Sequence, residues 1–155
     1  MATQQELDRV YMDMAESIAT LSKARRNKVE CVLVTPENVM LASFNGTPSG
    51  WDNNCEYEEV ALHSEFGKGS WLEKTGELVS KNTVIHAELN AILHAARQGA
   101  SVKGSTLYTT LSCCAACSAM VAQAGVKRVV YKEEYRDCSG INLLIEHGII
   151  VEQLT

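Results

Sequence analysis

A chain of 155 residues, 46% hydrophobic and 21% charged, has the length and composition of one globular domain (1–155), which at this size buries roughly two thirds of its unfolded surface. Disordered, collagen-like and coiled-coil classes are excluded. Fourteen Lys and Arg against nineteen Asp and Glu leave a net charge of −5, so there is no basic footprint for nucleic acid and small molecules are the expected partners.

No window approaches the roughly 18 to 20 apolar residues of a membrane span, and Met1 to Glu6 is polar, so no membrane partner and a cytoplasmic location are expected. Of six cysteines, three crowd positions 113, 114 and 117, a clustering that reads as metal or thiol chemistry in a reducing compartment.

From Thr3 to about Arg25, Leu7, Val10, Tyr11, Met14, Ile18 and Leu21 follow helical spacing, and Thr3 with Glu6 forms a capping box. Glu30–Thr35 and Val39–Phe44 are β-prone runs joined by Pro36-Glu37-Asn38, which predicts a hairpin. Residues 45–83 carry five glycines, Pro48, Trp51 and Trp71 without long periodicity, and are expected to form a long inserted loop, the tryptophans serving mainly in packing. A helix is predicted over Val84–Gln98, stopped by Gly99. After it come a strand at Thr106–Leu111, a helix at Cys114–Gln123, a strand at Arg128–Tyr131, a helix around Ile141–His147 and a strand at Ile149–Gln153. Helices alternating with the later strands predict an α/β fold, a mixed five-stranded sheet covered on both faces.

Two motifs carry chemistry: His86-Ala87-Glu88 at one helix start and Cys114-Ala115-Ala116-Cys117 at the next. A C-x-x-C pair on a first helical turn can chelate one ion, and the helix N-terminus favours the thiolates that Zn²⁺ binds. His86 as third ligand leaves a fourth position open for water, the arrangement of catalytic zinc. Glu88, two residues on, can sit beside that water as general base without ligating the metal. H-x-E followed by P-C-x-x-C, matched here in all but the proline, is the signature of zinc nucleobase deaminases, in which an activated water attacks C4 of cytosine while the glutamate carries the proton to N3 and then to the departing ammonia. Cys113 is expected to point away from the other two sulfurs and to ligate nothing. His63 and Cys55 are a weaker pair for a second metal.

The runs His86 to Ile92, Tyr108 to Cys117, Gln123 to Lys127 and Asn45 to Gly50 resemble the deoxycytidylate (dCMP) deaminase family. The family usually has proline immediately before the first zinc cysteine; Cys113 stands there instead, removing the rigid turn that proline supplies. The resemblance implies a three-layer α/β/α cytidine-deaminase-like fold and hydrolytic deamination of dCMP to dUMP, the precursor for thymidylate synthesis. It further implies Asn45 and Ala87 as substrate contacts, with Asn45 on the sugar. Arg26, Tyr135 and Arg136 fall to the phosphate, where a guanidinium fork suits the oxygens. A homohexamer switched on by dCTP and off by dTTP with Mg²⁺ is also implied, with Gly46 and Arg97 as places to look for effector contacts.

Two other readings compete. One is a deaminase of another base, such as tRNA adenosine or a free nucleobase, which the acidic surface and the Asn45–Gly50 run disfavour. The other is a non-catalytic zinc-stabilised binding module, for which Glu88 would have no use.

Overall fold

The computed structural model describes residues 1–155. Helix α1 spans Gln4–Ala19, with Thr3 as N-cap and the Thr3–Glu6 capping box formed in both directions. It ends sooner than the apolar spacing predicts. Leu21, on the predicted stripe, is exposed, while Ser22 turns inward to donate to Asn45 Oδ1 at 2.7 Å, so a tertiary hydrogen bond ends the helix.

Strands β1 (Glu30–Val34) and β2 (Met40–Phe44) form the predicted antiparallel hairpin. Asn38 takes φ +61° in its turn, a conformation that asparagine tolerates. The remaining sheet strands are β5 (Thr106–Leu111), β6 (Arg128–Glu133) and β7 (Ile150–Gln153). The sheet order is β2-β1-β5-β6-β7, with β1 antiparallel to β2 and β5, and β5-β6-β7 parallel. This is the mixed five-stranded sheet expected from the sequence.

One face packs on α1: Met12 and Ala15 meet Val32, Val34, Tyr108 and Val130. The other face carries α2 (Ala87–Gln98), α3 (Ala115–Gln123) and α4 (Ser139–Glu146), whose Ala91, Ala95, Val121 and Leu144 close over Cys31, Leu33, Leu107 and Val129. Alternation along each strand sends neighbouring residues to opposite layers, giving three layers from one sheet. Outside the cleft, Arg128 forks onto both oxygens of Asp8 at 2.7 Å and Tyr108 donates to the same carboxylate at 2.8 Å, pinning α1 to the sheet. No helix is long and apolar enough to cross a membrane.

The 45–83 segment corrects the expectation of a loop. Strands β3 (Glu56–Glu65) and β4 (Gly69–Ser80) pair antiparallel as a separate two-stranded sheet. Nearly every residue of this hairpin is exposed, so no face had to alternate apolar with polar and the usual strand signal was missing. Trp51 and Trp71 are exposed rather than part of the core, Trp71 stacking on His63 across the ribbon.

Candidate active site

Both motifs fold onto helix N-termini that converge at the carboxyl end of β5. His86 is the N-cap of α2 and Cys114 the N-cap of α3, each with extended backbone and neither using its side chain to cap. Their side chains are therefore available to each other. His86 Nδ1 lies 3.6 Å from Cys114 Sγ and 3.3 Å from Cys117 Sγ, and the three candidate ligand atoms all fall within 4.8 Å of one another.

Local structure holds this arrangement from behind. Gly46 and Ile85 exchange backbone hydrogen bonds of 3.1 and 2.8 Å, tying the residue before His86 to the end of β2. The Ala87 carbonyl accepts from Ser43 Oγ at 2.6 Å and from the Cys31 thiol at 3.1 Å, and Asn90 donates to the Phe44 carbonyl at 3.0 Å. On the α3 side, α4 starts flush against the cysteine turn: a Cβ on Gly140 would lie 2.0 Å from the Cys113 carbonyl oxygen and 2.8 Å from the Cys114 carbonyl carbon. Only glycine permits that approach.

The electrostatics suit a dication. The Cys114 thiol is drawn down to about 4, first by the hydrogen bond from Cys117 and then by His86. The Cys117 thiol is pushed well up by the same bond and by burial, so its proton is the harder to remove. A cation taking both sulfurs as thiolates would release it. Glu88 is 3% exposed, its Oε2 has no hydrogen-bond partner, and burial raises its pKa. Cys113 is 1% exposed and lies outside the three-ligand cluster.

A cleft of about 340 Å³ opens over these groups. His86, Glu88 and Cys114 line it together with Asn45, Arg26, Tyr135 and Arg136. Ser112 accepts from the Tyr135 N–H at 2.8 Å, which fixes the turn after β6 above the end of β5. Arg136 lies 5.6 Å over the Tyr135 ring. Asn45 Oδ1 accepts from Ser22 and from the Val29 N–H at 3.3 Å, while its amide donates to the Asn27 carbonyl at 2.8 Å, so this side chain braces the 22–29 segment that carries Arg26. One amide hydrogen remains for a ligand.

Other expected positions fall elsewhere. Ala87 is fully buried and is not among the residues lining the cleft. Arg97, in the last turn of α2, is separated from His86 by about 16 Å of helix and faces solvent. His63 stacks on Trp71 and pairs with Glu73 at 3.2 Å, eight residues along an extended strand from Cys55, on the order of 25 Å, so these two do not form a second metal site. Sequence reasoning missed Glu56, a buried cleft residue at the foot of the β3–β4 hairpin. Its only signal was a carboxylate beside Cys55 in a segment read as loop.

The family model described as the cytidine and deoxycytidylate deaminase zinc-binding region matches residues 5–133. The deoxycytidylate deaminase of Enterobacteria phage T2 is 58% identical, covering 80% of this chain and 78% of that protein. That of Enterobacteria phage T4 is 34% identical, covering 80% and 76%. A crystal structure of dCMP deaminase from the cyanophage S-TIM5 in complex with dCMP and dUMP superposes with a TM-score of 0.82 at 36% identity, covering 99% of this chain and 100% of that one. With the convergent His-Cys-Cys cluster and the matched fold, this chain belongs to the cytidine and deoxycytidylate deaminase zinc-binding family.

Proposed function

We propose that this protein is an enzyme that hydrolyses dCMP to dUMP and ammonia. The observation that carries the reading is one cleft lined by two chemically different groups of side chains: His86, Cys114 and the buried Glu88 in the first, Arg26, Tyr135 and Arg136 in the second. A cytosine ring fits the first and a monophosphate the second. The identity to deoxycytidylate deaminases of known name supports this base and sugar over tRNA adenosine or a free base.

His86, Cys114 and Cys117 fit zinc, because one imidazole and two sulfurs lie close enough to share an ion and no fourth protein ligand stands beside them. When bound there, zinc supplies the Lewis acidity that makes a water nucleophilic near neutral pH. Glu88 then does the proton work. Its unpaired Oε2 accepts the water proton, passes it to cytosine N3, and carries a second proton to the amine as the C4–N bond breaks and ammonia leaves. Burial favours the protonated state of Glu88 and so helps the donating half of each cycle. Asn45 offers its remaining amide hydrogen to the sugar. Exposed Arg26 and Arg136 and half-buried Tyr135 bind the phosphate, contributing to substrate affinity rather than to the chemical step.

Hexameric assembly, a cytoplasmic location, and control by dCTP and dTTP with Mg²⁺ belong to the same proposal. The Gly46–Ile85 bridge supports control, since a ligand that moved the 46–50 segment would pull on the residue before His86. Arg97 is the less direct candidate.

Purified protein given dCMP, CMP, deoxycytidine and dCTP, followed by loss of cytosine absorbance, tests the reading. Turnover of dCMP well above the others is expected; turnover of deoxycytidine equal to that of dCMP would leave Arg26, Tyr135 and Arg136 without a role. Sigmoidal dCMP curves that dCTP makes hyperbolic, in a protein sedimenting as a hexamer, are expected for the regulated form.

A further inference from the structure

The β1–β2 hairpin turns Cys31, Leu33, Leu41 and Ser43 toward α2, and among these Ser43 alone carries a hydroxyl. Cys31 and Ser43 stand opposite each other in the hairpin register, so their side chains leave the sheet together on the same face. Both are buried, Cys31 completely and Ser43 to 1% exposure. Donors in such surroundings must find acceptors, and these two converge on one atom. Ser43 Oγ donates to the Ala87 carbonyl at 2.6 Å, and the Cys31 thiol, a weaker donor, reaches the same oxygen at 3.1 Å with Ser43 Oγ 3.2 Å away.

That oxygen has no need of them. A carbonyl at the first residue of a helix is already matched with the N–H four residues on. What the extra donors fix is a peptide. The Ala87 carbonyl and the Glu88 N–H belong to one rigid plane, so a donor held by the sheet on its oxygen sets the orientation of that plane and the direction in which the Glu88 side chain leaves the backbone. Other ties hold α2 without touching this peptide: the Gly46–Ile85 bridge grips the chain before His86, and Asn90 reaches the Phe44 carbonyl from further along the helix. Nor does a hydrogen bond on Oε2 hold the Glu88 carboxyl, so its aim depends on its backbone.

Resting on the dCMP reading, we propose that Ser43 is a positioning residue for the proton transfers of Glu88: its hydroxyl, backed by the Cys31 thiol, locks the 87–88 peptide so that the Glu88 carboxyl meets both the attacking water and the base. Ser43 touches neither substrate nor metal in this role and acts through Glu88 alone.

Ser43→Ala removes the hydroxyl with little change of volume. The experiment measures kcat and KM for dCMP, zinc content, and the affinity of two nucleotides that are not deaminated. One is dUMP, which probes binding without proton transfer. The other is the deoxyribonucleoside monophosphate of pyrimidin-2-one, which lacks the amine and whose ring takes hydroxide at C4 as N3 takes the proton that Glu88 delivers. At matched zinc content, kcat should fall roughly tenfold, short of the roughly hundredfold that a full ångström of misplacement can cost, with KM and dUMP affinity within about twofold. The pyrimidin-2-one nucleotide should weaken by the same factor as kcat, because its bound form needs the Glu88 proton and that of dUMP does not. Ser43→Cys, which keeps a weaker donor in the same place, should lie between Ser43→Ala and the unaltered protein.

An unaltered kcat in Ser43→Ala overturns the proposal. A common loss of affinity for both nucleotides, or loss of zinc in step with turnover, also overturns it, since general loosening of the fold would do that. Should Ser43→Ala fail to fold, Ser43→Cys decides by the same criteria: a lowered kcat matched by the pyrimidin-2-one nucleotide alone supports the assignment, and any other pattern overturns it. Absence of dCMP turnover in the unaltered protein overturns the deaminase reading itself, and the Ser43 assignment with it.

Discussion

The α2–α3 layer and the β3–β4 hairpin are opposites. In the first, small residues pack the helices onto the sheet and α4 against the cysteine turn so closely that Gly140 cannot carry a Cβ, with Cys117 and Glu88 buried. In the second, both faces of a two-stranded ribbon meet solvent, and only its foot, Glu56 and Ser80 beside Cys55, reaches the cleft. Geometry that must be held to fractions of an ångström is built where burial is dense, whereas the hairpin contributes by what its base presents.

Removing a ligand from the dense layer should have the largest effect. Cys117→Ala leaves two ligands and is expected to abolish bound zinc and turnover together; metal analysis showing stoichiometric zinc in this variant would remove Cys117 from the site. Glu88→Gln comes next. It should keep zinc and fold while lowering kcat at least ~10²- to 10⁴-fold, because it removes the proton carrier but no ligand. Near-normal turnover would sink the proton-transfer role.

Gly140→Ala tests the packing directly. The added methyl cannot coexist with the Cys113 carbonyl at 2.0 Å, so the cysteine turn or α4 must move, and a loss of about 1 to 3 kcal/mol with weakened zinc retention is expected. Chemical denaturation with and without a chelator separates the two effects. If Gly140→Ala matches the unaltered protein in both, the two segments are less tightly packed than the structure shows.

On the opposite face of the sheet, Asp8→Asn should cost stability and spare chemistry. Burial alone would raise this carboxyl, but hydrogen bonds from Arg128, Gln4 and Tyr108 outweigh it and hold the pKa at about 2. A depressed carboxylate pKa stabilises the fold above the unfolded value near 4, and that contribution fades as pH falls toward 2. The drop corresponds to about 2 to 3 kcal/mol at neutral pH. Unfolding curves at pH 7 and pH 2 should therefore differ between the two proteins at the first pH and converge at the second. A gap that persists at pH 2 would show that packing, not charge, is lost.

The smallest effect is expected in the hairpin. Replacing residues 61–73 by Asn-Gly keeps Glu56 and Ser80 and should leave zinc content unchanged and kcat/KM within about twofold, as for surface changes remote from a site. Loss of turnover on trimming would make the distal ribbon part of the active unit and dissolve the contrast.

Much of this was legible along the chain because it depends on neighbours in sequence. Capping chemistry placed the start of α1, β-prone runs placed the five sheet strands, and H-x-E and C-x-x-C placed a histidine, a carboxylate and two thiols at helix starts, since those signals are local by construction. What depended on distant partners was not legible. The end of α1 is set by Ser22 reaching Asn45, and Ala87 is fully buried. The hairpin escaped notice because solvent on both faces erases the alternation that betrays a strand. Only the folded chain brings the foot of that hairpin, the 22–29 segment and the turn after β6 around one cleft, for no pattern in residues 26, 45, 56 and 135 specifies their meeting. Composition and motif spacing determined the chemistry that the chain can hold, and tertiary packing alone decided which other side chains surround it.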